Sequence, residues 1–311
     1  MAIISTILNL VSCGLNASLG TGTKGCESFF KKISSIWLTP QGFKFDGTVA
    51  LTEEYVQQLQ AEGNLIVIKG VKTFVDNSGD DGIEALEDQT EQVTLLGLYK
   101  FAFQFIKGIY FHTSLTSLNS FGSYDATFID NEGNILGTTA SDGSLKGFTL
   151  GMLQADRFMF ATDASGQKQG LKMQLTERPE VDSTPVFIQQ SQLGNFNPKK
   201  VDGINEVVLS YTAVPADAAT TISVKAVLKQ DGSVFTGAAY TDFNLKVDGV
   251  TGNPTAGDDS TTAGTYALTV AAISTNEVLA ISLYNNTDSR AAIELDNVLY
   301  KSNTSSATAT A

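Results

Sequence analysis

The chain has 311 residues, with 33 acidic against 20 basic side chains and a formal net charge of −13. That length suits about two domains of ordinary size, and 42% hydrophobic residues are enough to bury a core in each. No Lys/Arg-rich stripe exists to displace phosphate counterions, which excludes tight nucleic-acid binding. Charged residues are only 17%, below the roughly 25% of an average soluble protein, a deficit compatible with surface covered by neighbouring subunits. Fifteen basic and 21 acidic residues precede position 201, while 5 and 12 follow it. The shorter C-terminal part is therefore the more acidic per residue.

Residues 1–28 read as an extended arm, punctuated by Gly14, Gly20, Gly22 and Gly25. Its apolar residues Ile3, Ile4, Ile7, Leu8 and Leu10 have no local core to receive them, so they are expected to contact another subunit. Leu10-Val11-Ser12-Cys13 resembles a lipoprotein signal, but no Lys or Arg precedes Lys24, and the basic n-region of a leader is missing. Assembly in a cytoplasm, with no membrane partner, is the expectation. Cys13 and Cys26 fit two free thiols in a reducing compartment better than a single bridge.

Residues 29–178 form an expected β-rich assembly domain with a β-sandwich or barrel-like core. Phe29, Ile33, Ile36 and Trp37 follow helical spacing up to Pro40. Thr52 can cap a short helix over Glu53–Ala61 that stops at Gly63. Leu65–Lys69 and Val71–Val75 read as strands. Residues 76–92 are a polar excursion with Asp76, Asp80, Asp81, Glu84, Glu87, Asp88 and Glu91. As a calcium loop, Asp76, Ser78, Asp80 and Glu87 fall at ligand positions, but Asp81 stands where the sharp turn requires glycine. A solvated acidic loop is the better reading, with Asp80, Asp81, Glu84 and Glu87 reaching an adjacent subunit.

From Gln92 to Leu118 the chain is strongly β, with Tyr99, Phe101, Phe103 and Phe105 on one sheet face and Ile109–His112 as a further strand. Thr127–Asp130 and Ile135–Thr138 make a hairpin around Asn131–Asn134, and Asp142-Gly143 starts another turn. Arg157–Thr162 and Gly170–Leu175 complete the domain, and 179–200 reads as a proline-bearing linker. Beyond it, 201–302 has short alternating strands at Glu206–Thr212, Thr220–Lys229, Phe243–Val247, Thr265–Ala271, Val278–Tyr284 and Ala292–Tyr300, separated by turn residues. This is the pattern of an immunoglobulin-like β-sandwich, followed by a Ser/Thr/Ala-rich tail at 303–311.

Motifs for chemistry are missing. His112 is the only histidine, so no multi-histidine metal site can form, and with two cysteines it falls short of the four ligands of a structural zinc. Nothing resembles a nucleophile elbow, a phosphate loop or a dinucleotide fingerprint. Neither an enzyme nor a cofactor is expected.

Gly264-Thr-Tyr266-Ala-Leu268-Thr-Val270 resembles the penultimate strands of bacterial and phage immunoglobulin-like domains. That likeness implies a tyrosine-corner arrangement in which the Tyr266 hydroxyl bonds nearby backbone. The arm, the acidic loop before Thr94, the Gly97-Leu-Tyr99-Lys-Phe101 strand through Phe111 and the hairpin-rich remainder resemble tailed-phage virion proteins of the tail-tube type. The resemblance implies a subunit that homo-oligomerises into rings or a tube and partners other virion proteins. It also implies that Tyr99–Phe111 belongs to an inner sheet, that residues 76–92 contact the next ring, and that DNA passes without being held. A head-associated or connector subunit, a surface adhesin and a secreted glycan hydrolase are the rival readings.

Overall fold

The structure is a computed structural model and describes residues 30–85 and 91–311. It is mostly β and divides into two compact units. Residues 30–56 and 64–201 belong to the first, and Gln57–Gly63 with Asp202–Ala311 to the second.

Elements up to residue 201 follow in order: β1 (Ile33–Pro40), α1 (Glu53–Glu62), β2 (Ile66–Lys69), β3 (Thr73–Asp76), β4 (Gly82–Ala85), β5 (Glu91–Leu95), β6 (Lys100–Phe105), α2 (Ile109–Thr116), β7 (Tyr124–Asp130), β8 (Ile135–Thr139), β9 (Leu145–Lys146), β10 (Phe148–Ala155), β11 (Gln169–Leu175), α3 (Arg178–Asp182) and β12 (Pro185–Ile188). Strand β7 is the hub. One side pairs with β1 along its length, from Ile33↔Asp130 to Pro40↔Tyr124. The other side divides between β8, at Phe128↔Leu136, and β10, at Ala126↔Phe148. From β7 one arm continues through β8 to β12 and the other through β10, β11, β6 and β3. The sheet thereby curls into a half-barrel. Its core includes Ile36, Leu38, Phe103, Phe105, Phe128 and Leu171, each worth about 1.5–3 kcal/mol relative to exposure. The expected aromatic ladder is present, with Phe103 and Phe105 buried and Phe101 packed against them.

Several elements differ from the sequence reading. The segment expected as a helix before Pro40 is β1, because a bulge at Ser34 shifts the register between Ile33 and Ser35. Ile33 and Ile36 then share the core face three residues apart, a helical spacing produced by a bulged strand. Ile109–His112 is not a strand but the start of α2. Thr113 and Ser114 donate their hydroxyls to the carbonyls of Ile109 and Tyr110, and Leu115 is buried. Arg157–Thr162 forms only isolated bridges, at Met159↔Lys168 and Thr162↔Ser165, and β10 takes the place expected of it. Residues 179–200 are no linker: they hold most of α3, then β12, which pairs with β8 from Pro185↔Thr138 to Ile188↔Ile135, and Phe196 is buried. The cap of α1 is as expected, with Tyr55 N–H donating to Thr52 Oγ1 at 3.3 Å. The hairpin of β7 and β8 is also as expected.

The second unit holds β13 (Asn205–Tyr211), β14 (Thr221–Leu228), β15 (Phe243–Val247), β16 (Val250–Thr251), β17 (Ala256–Thr262), β18 (Thr265–Thr269), β19 (Val278–Leu283), β20 (Ile293–Leu295), β21 (Val298–Ser302) and β22 (Ser305–Thr308). One sheet runs β17-β18-β14-β13-β21-β20 and the other β16-β15-β19-β22. Taken in chain order, β13, β14, β18 and β17 reproduce the A, B, E, D sheet of an immunoglobulin sandwich. β15, β19 and β22 reproduce C, F and G, with β16 as an added C′ strand. The departure from that plan is the β20–β21 hairpin, which lies where one strand, Ala292–Tyr300, was expected. Asp296 and Asn297, at φ of 51° and 62°, make its two-residue turn, and successive positive φ values are what such a turn demands. The 303–311 segment is not a plain tail, because β22 pairs with β19 and Ala309 is buried. Tyr266, fully buried on β18, donates to the Phe235 carbonyl at 3.1 Å and accepts from Ala238 N–H at 3.3 Å. Those partners lie about thirty residues upstream, unlike the short return of a tyrosine corner.

Candidate functional site

The acidic excursion after β3 is a β-ribbon, not a solvated loop. Pairing of β3 with β6 runs from Thr73↔Gln104 to Asp76↔Phe101. It continues as Asn77 N–H to the Lys100 carbonyl at 2.7 Å and Gly79 N–H to the Leu98 carbonyl at 3.4 Å. β4 and β5 then pair from Gly82↔Leu95 to Ala85↔Glu91 as a two-stranded sheet of their own. Nine residues separate Asp76 from the end of β4, a reach of about 30 Å when extended. Every residue of β5 is exposed. Ile83 stands opposite Val93, and exposure is 60% at Ile83, 69% at Leu95 and 58% at Leu96.

Gly97 sets where the two chains of the ribbon cross. A Cβ there would lie 1.9 Å from the Gly79 carbonyl oxygen, so only glycine permits the approach. The root of the ribbon is clamped by α3. Arg178 Nε donates to Asp182 Oδ2 at 2.8 Å, and Arg178 Nη1 pairs with Asp81. Asp81 also accepts Gly97 N–H at 2.8 Å, and Asp182 accepts the Tyr99 hydroxyl. The Arg178 guanidinium holds the Asp81 carboxyl below the usual carboxylate range. The Tyr99 hydroxyl, and then Arg178, do the same for Asp182. Both stay ionised at neutral pH.

The clamp is itself seated on the sheet. Glu180 of α3 accepts Thr149 N–H at 2.6 Å, the Thr149 hydroxyl at 2.8 Å and Lys146 Nζ at 2.9 Å. Lys146 also faces the buried Asp125 at 3.6 Å. Burial pushes the Asp125 carboxyl up, against the lowering effect of Gly42 N–H and Lys146.

The opposite end of the same strands carries a second exposed apolar surface. β6 leads from Phe105 into α2, and the segment joining β10 to β11 returns beside it, since Gln169 pairs with Phe105. The buried Gln169 side chain accepts Lys107 N–H and donates to the Lys107 carbonyl, both at 2.8 Å, which fixes this corner. His112 of α2 meets the Phe158 ring edge-on at 5.5 Å, and Phe158 meets Phe160 at 5.0 Å. Phe160 is 74% exposed, and Ile109 and Tyr110 at the start of α2 are about half exposed.

Of the residues expected to contact another subunit, Asp80 and Glu84 lie exposed on the ribbon, whereas Asp81 is engaged with Arg178 at its root. Glu87 and Ile3, Ile4, Ile7, Leu8 and Leu10 lie outside the described residues, as do Cys13 and Cys26. Sequence reasoning missed the apolar half of the ribbon. The signal was Val93-Thr-Leu95-Leu96, a β-prone run attached to an acidic segment with no further strand to cover it. Compared with protein-family models and with curated protein sequences, the chain finds no match in either.

Proposed function

We propose that this protein is a structural subunit of the tailed-phage tail-tube type, which homo-oligomerises into rings or a tube and performs no catalysis. The observation that carries this reading is the β4–β5 ribbon. An isolated two-stranded hairpin is marginally stable in water, and an exposed apolar strand pair is a template for association. Burying the exposed parts of Ile83, Val93, Leu95 and Leu96 is worth roughly 5 kcal/mol. Association itself costs about as much or more, so one ribbon makes a weak contact, and only repetition around a closed or stacked array makes a stable one. The acidic balance of residues 1–200 suits a conduit that DNA crosses without being held, with other virion proteins as further partners.

The test is negative-stain microscopy and light scattering of the full chain beside the Ile83→Asp/Leu95→Asp variant. Rings or tubes are expected from the unmodified protein, and dispersed monomers of unchanged fold from the variant. A wild-type protein that stays monomeric at micromolar concentration overturns the assembly reading.

A further inference from the structure

Of the sixteen large apolar side chains that are strongly exposed among the described residues, ten lie at the two ends of the β3–β6–β11–β10 arm. Val75, Ile83, Val93, Leu95 and Leu96 belong to the ribbon end. Ile106, Ile109, Tyr110, Met159 and Phe160 belong to the other. The two ends also differ in charge. Between Asp76 and Tyr99 there are seven carboxylates and no basic residue. Around α2 and the β10–β11 connection stand Lys107, Arg157 and Lys168 against the exposed Asp163, with Asp156 paired to Lys172 at 2.7 Å, so the balance there is basic.

We infer that α2 and Phe158–Phe160 form the acceptor surface for the β4–β5 ribbon of a second copy of this chain. The inference rests on the assembly reading above and names the surface that the ribbon meets. Apolar side chains face apolar side chains, and the acidic flank of the ribbon meets the basic residues beside the acceptor. Because donor and acceptor lie at opposite ends of the same strands, the contact is heterologous. It leaves an unused ribbon on one copy and an unused acceptor on the next, so it propagates from copy to copy. A self-complementary ribbon–ribbon pairing would instead stop at a dimer.

The difference is read by mixing two variants. The ribbon variant is Ile83→Asp/Leu95→Asp and the acceptor variant is Ile109→Asp/Phe160→Asp. All four positions are more than half exposed, and an aspartate at the first residue of α2 suits the helix N-terminus. Matching circular dichroism and melting to wild type confirms the fold of each. Each variant alone is expected to run as a monomer in size-exclusion chromatography with light scattering, while an equimolar mixture forms a one-to-one dimer and nothing larger. Adding Arg157→Glu to the ribbon variant, which supplies the acceptor in that dimer, is expected to weaken it about tenfold. An acceptor variant that assembles like wild type overturns the acceptor assignment and leaves the assembly reading intact. A mixture that stays monomeric, while wild type assembles, overturns the head-to-tail pairing. Wild type that never assembles removes both.

Discussion

Replacing Gly97 with alanine tests whether the ribbon's aim matters. The new Cβ would sit 1.9 Å from the Gly79 carbonyl oxygen, 2.8 Å from its carbon and 3.0 Å from the Asp80 carbonyl oxygen. Ordinary contact begins near 3.4 Å, so the chains must part by about 1.5 Å. Across a strand spacing of about 4.8 Å that is a rotation of roughly 18°. Six residues separate Gly97 from Glu91 at the far end of β5, a lever of about 20 Å, so the far end swings by roughly 6 Å. The displacement also breaks the Gly79 N–H bond to Leu98 and the Gly97 N–H bond to Asp81. None of these groups is in the core, so global stability should change by less than about 0.5 kcal/mol. Thermal melting, hydrogen exchange and microscopy of one sample check the three parts. The expected result is an unchanged midpoint, faster exchange at Gly79 and Gly97, and lost or misshapen assemblies. Normal assemblies with unchanged amide protection would refute the reasoning.

Tyr266→Phe should destabilise the second unit by about 1–3 kcal/mol, because Ala238 N–H loses its acceptor in a buried place. Urea unfolding followed by hydrogen exchange at β14 and β18 measures it, and an unshifted midpoint counts against the assignment. For Asp125, the folded-state pKa is raised above the ordinary 3.8 by burial. The folded chain therefore holds this proton longer than the unfolded chain, and its contribution to stability falls as pH rises from 3.8 through the folded-state value. Asp125→Asn should remove that loss, so the difference between variant and wild type grows over the same pH window in denaturant titrations. A constant difference would show that Asp125 does not titrate differently on folding.

Much of the architecture was legible because alternation and turn chemistry act locally. The β7–β8 hairpin, the cap of α1 and most strands of the second unit follow from spacings that a short window contains. What was illegible depended on partners far away. The bulge at Ser34 is visible only against β7, and it disguised a strand as a helix. The register shift between Leu150 and Met152 broke the alternation of β10 in the same way. Ile109–His112 has β-forming composition, yet hydroxyl bonds to preceding carbonyls and the burial of Leu115 make it helical. Ser305–Thr308 has Ala307 as its one apolar side chain, and only its ladder with β19 makes it a strand. At the candidate site the acids were legible as charge. The apolar run beside them reads as ordinary sheet, since sequence alone does not show that, among the described residues, β5 has only β4 for company.

The span of each pairing also orders events during folding. Ser35 and Ile129 are neighbours in the half-barrel although 94 positions apart, and Gly82 and Leu95 are neighbours in the ribbon only 13 apart. Closing a short hairpin takes microseconds, whereas sheets built from distant segments form in milliseconds to seconds. The ribbon is thus expected to exist, with its apolar residues presented, while the body that carries it is still incomplete. Nascent chains at that stage would meet one another through the wrong surfaces. Seven carboxylates in the stretch of sequence that carries so short an apolar run act then as gatekeepers, keeping unfinished chains apart by mutual repulsion until a finished acceptor, with basic residues at its edge, is there to receive them.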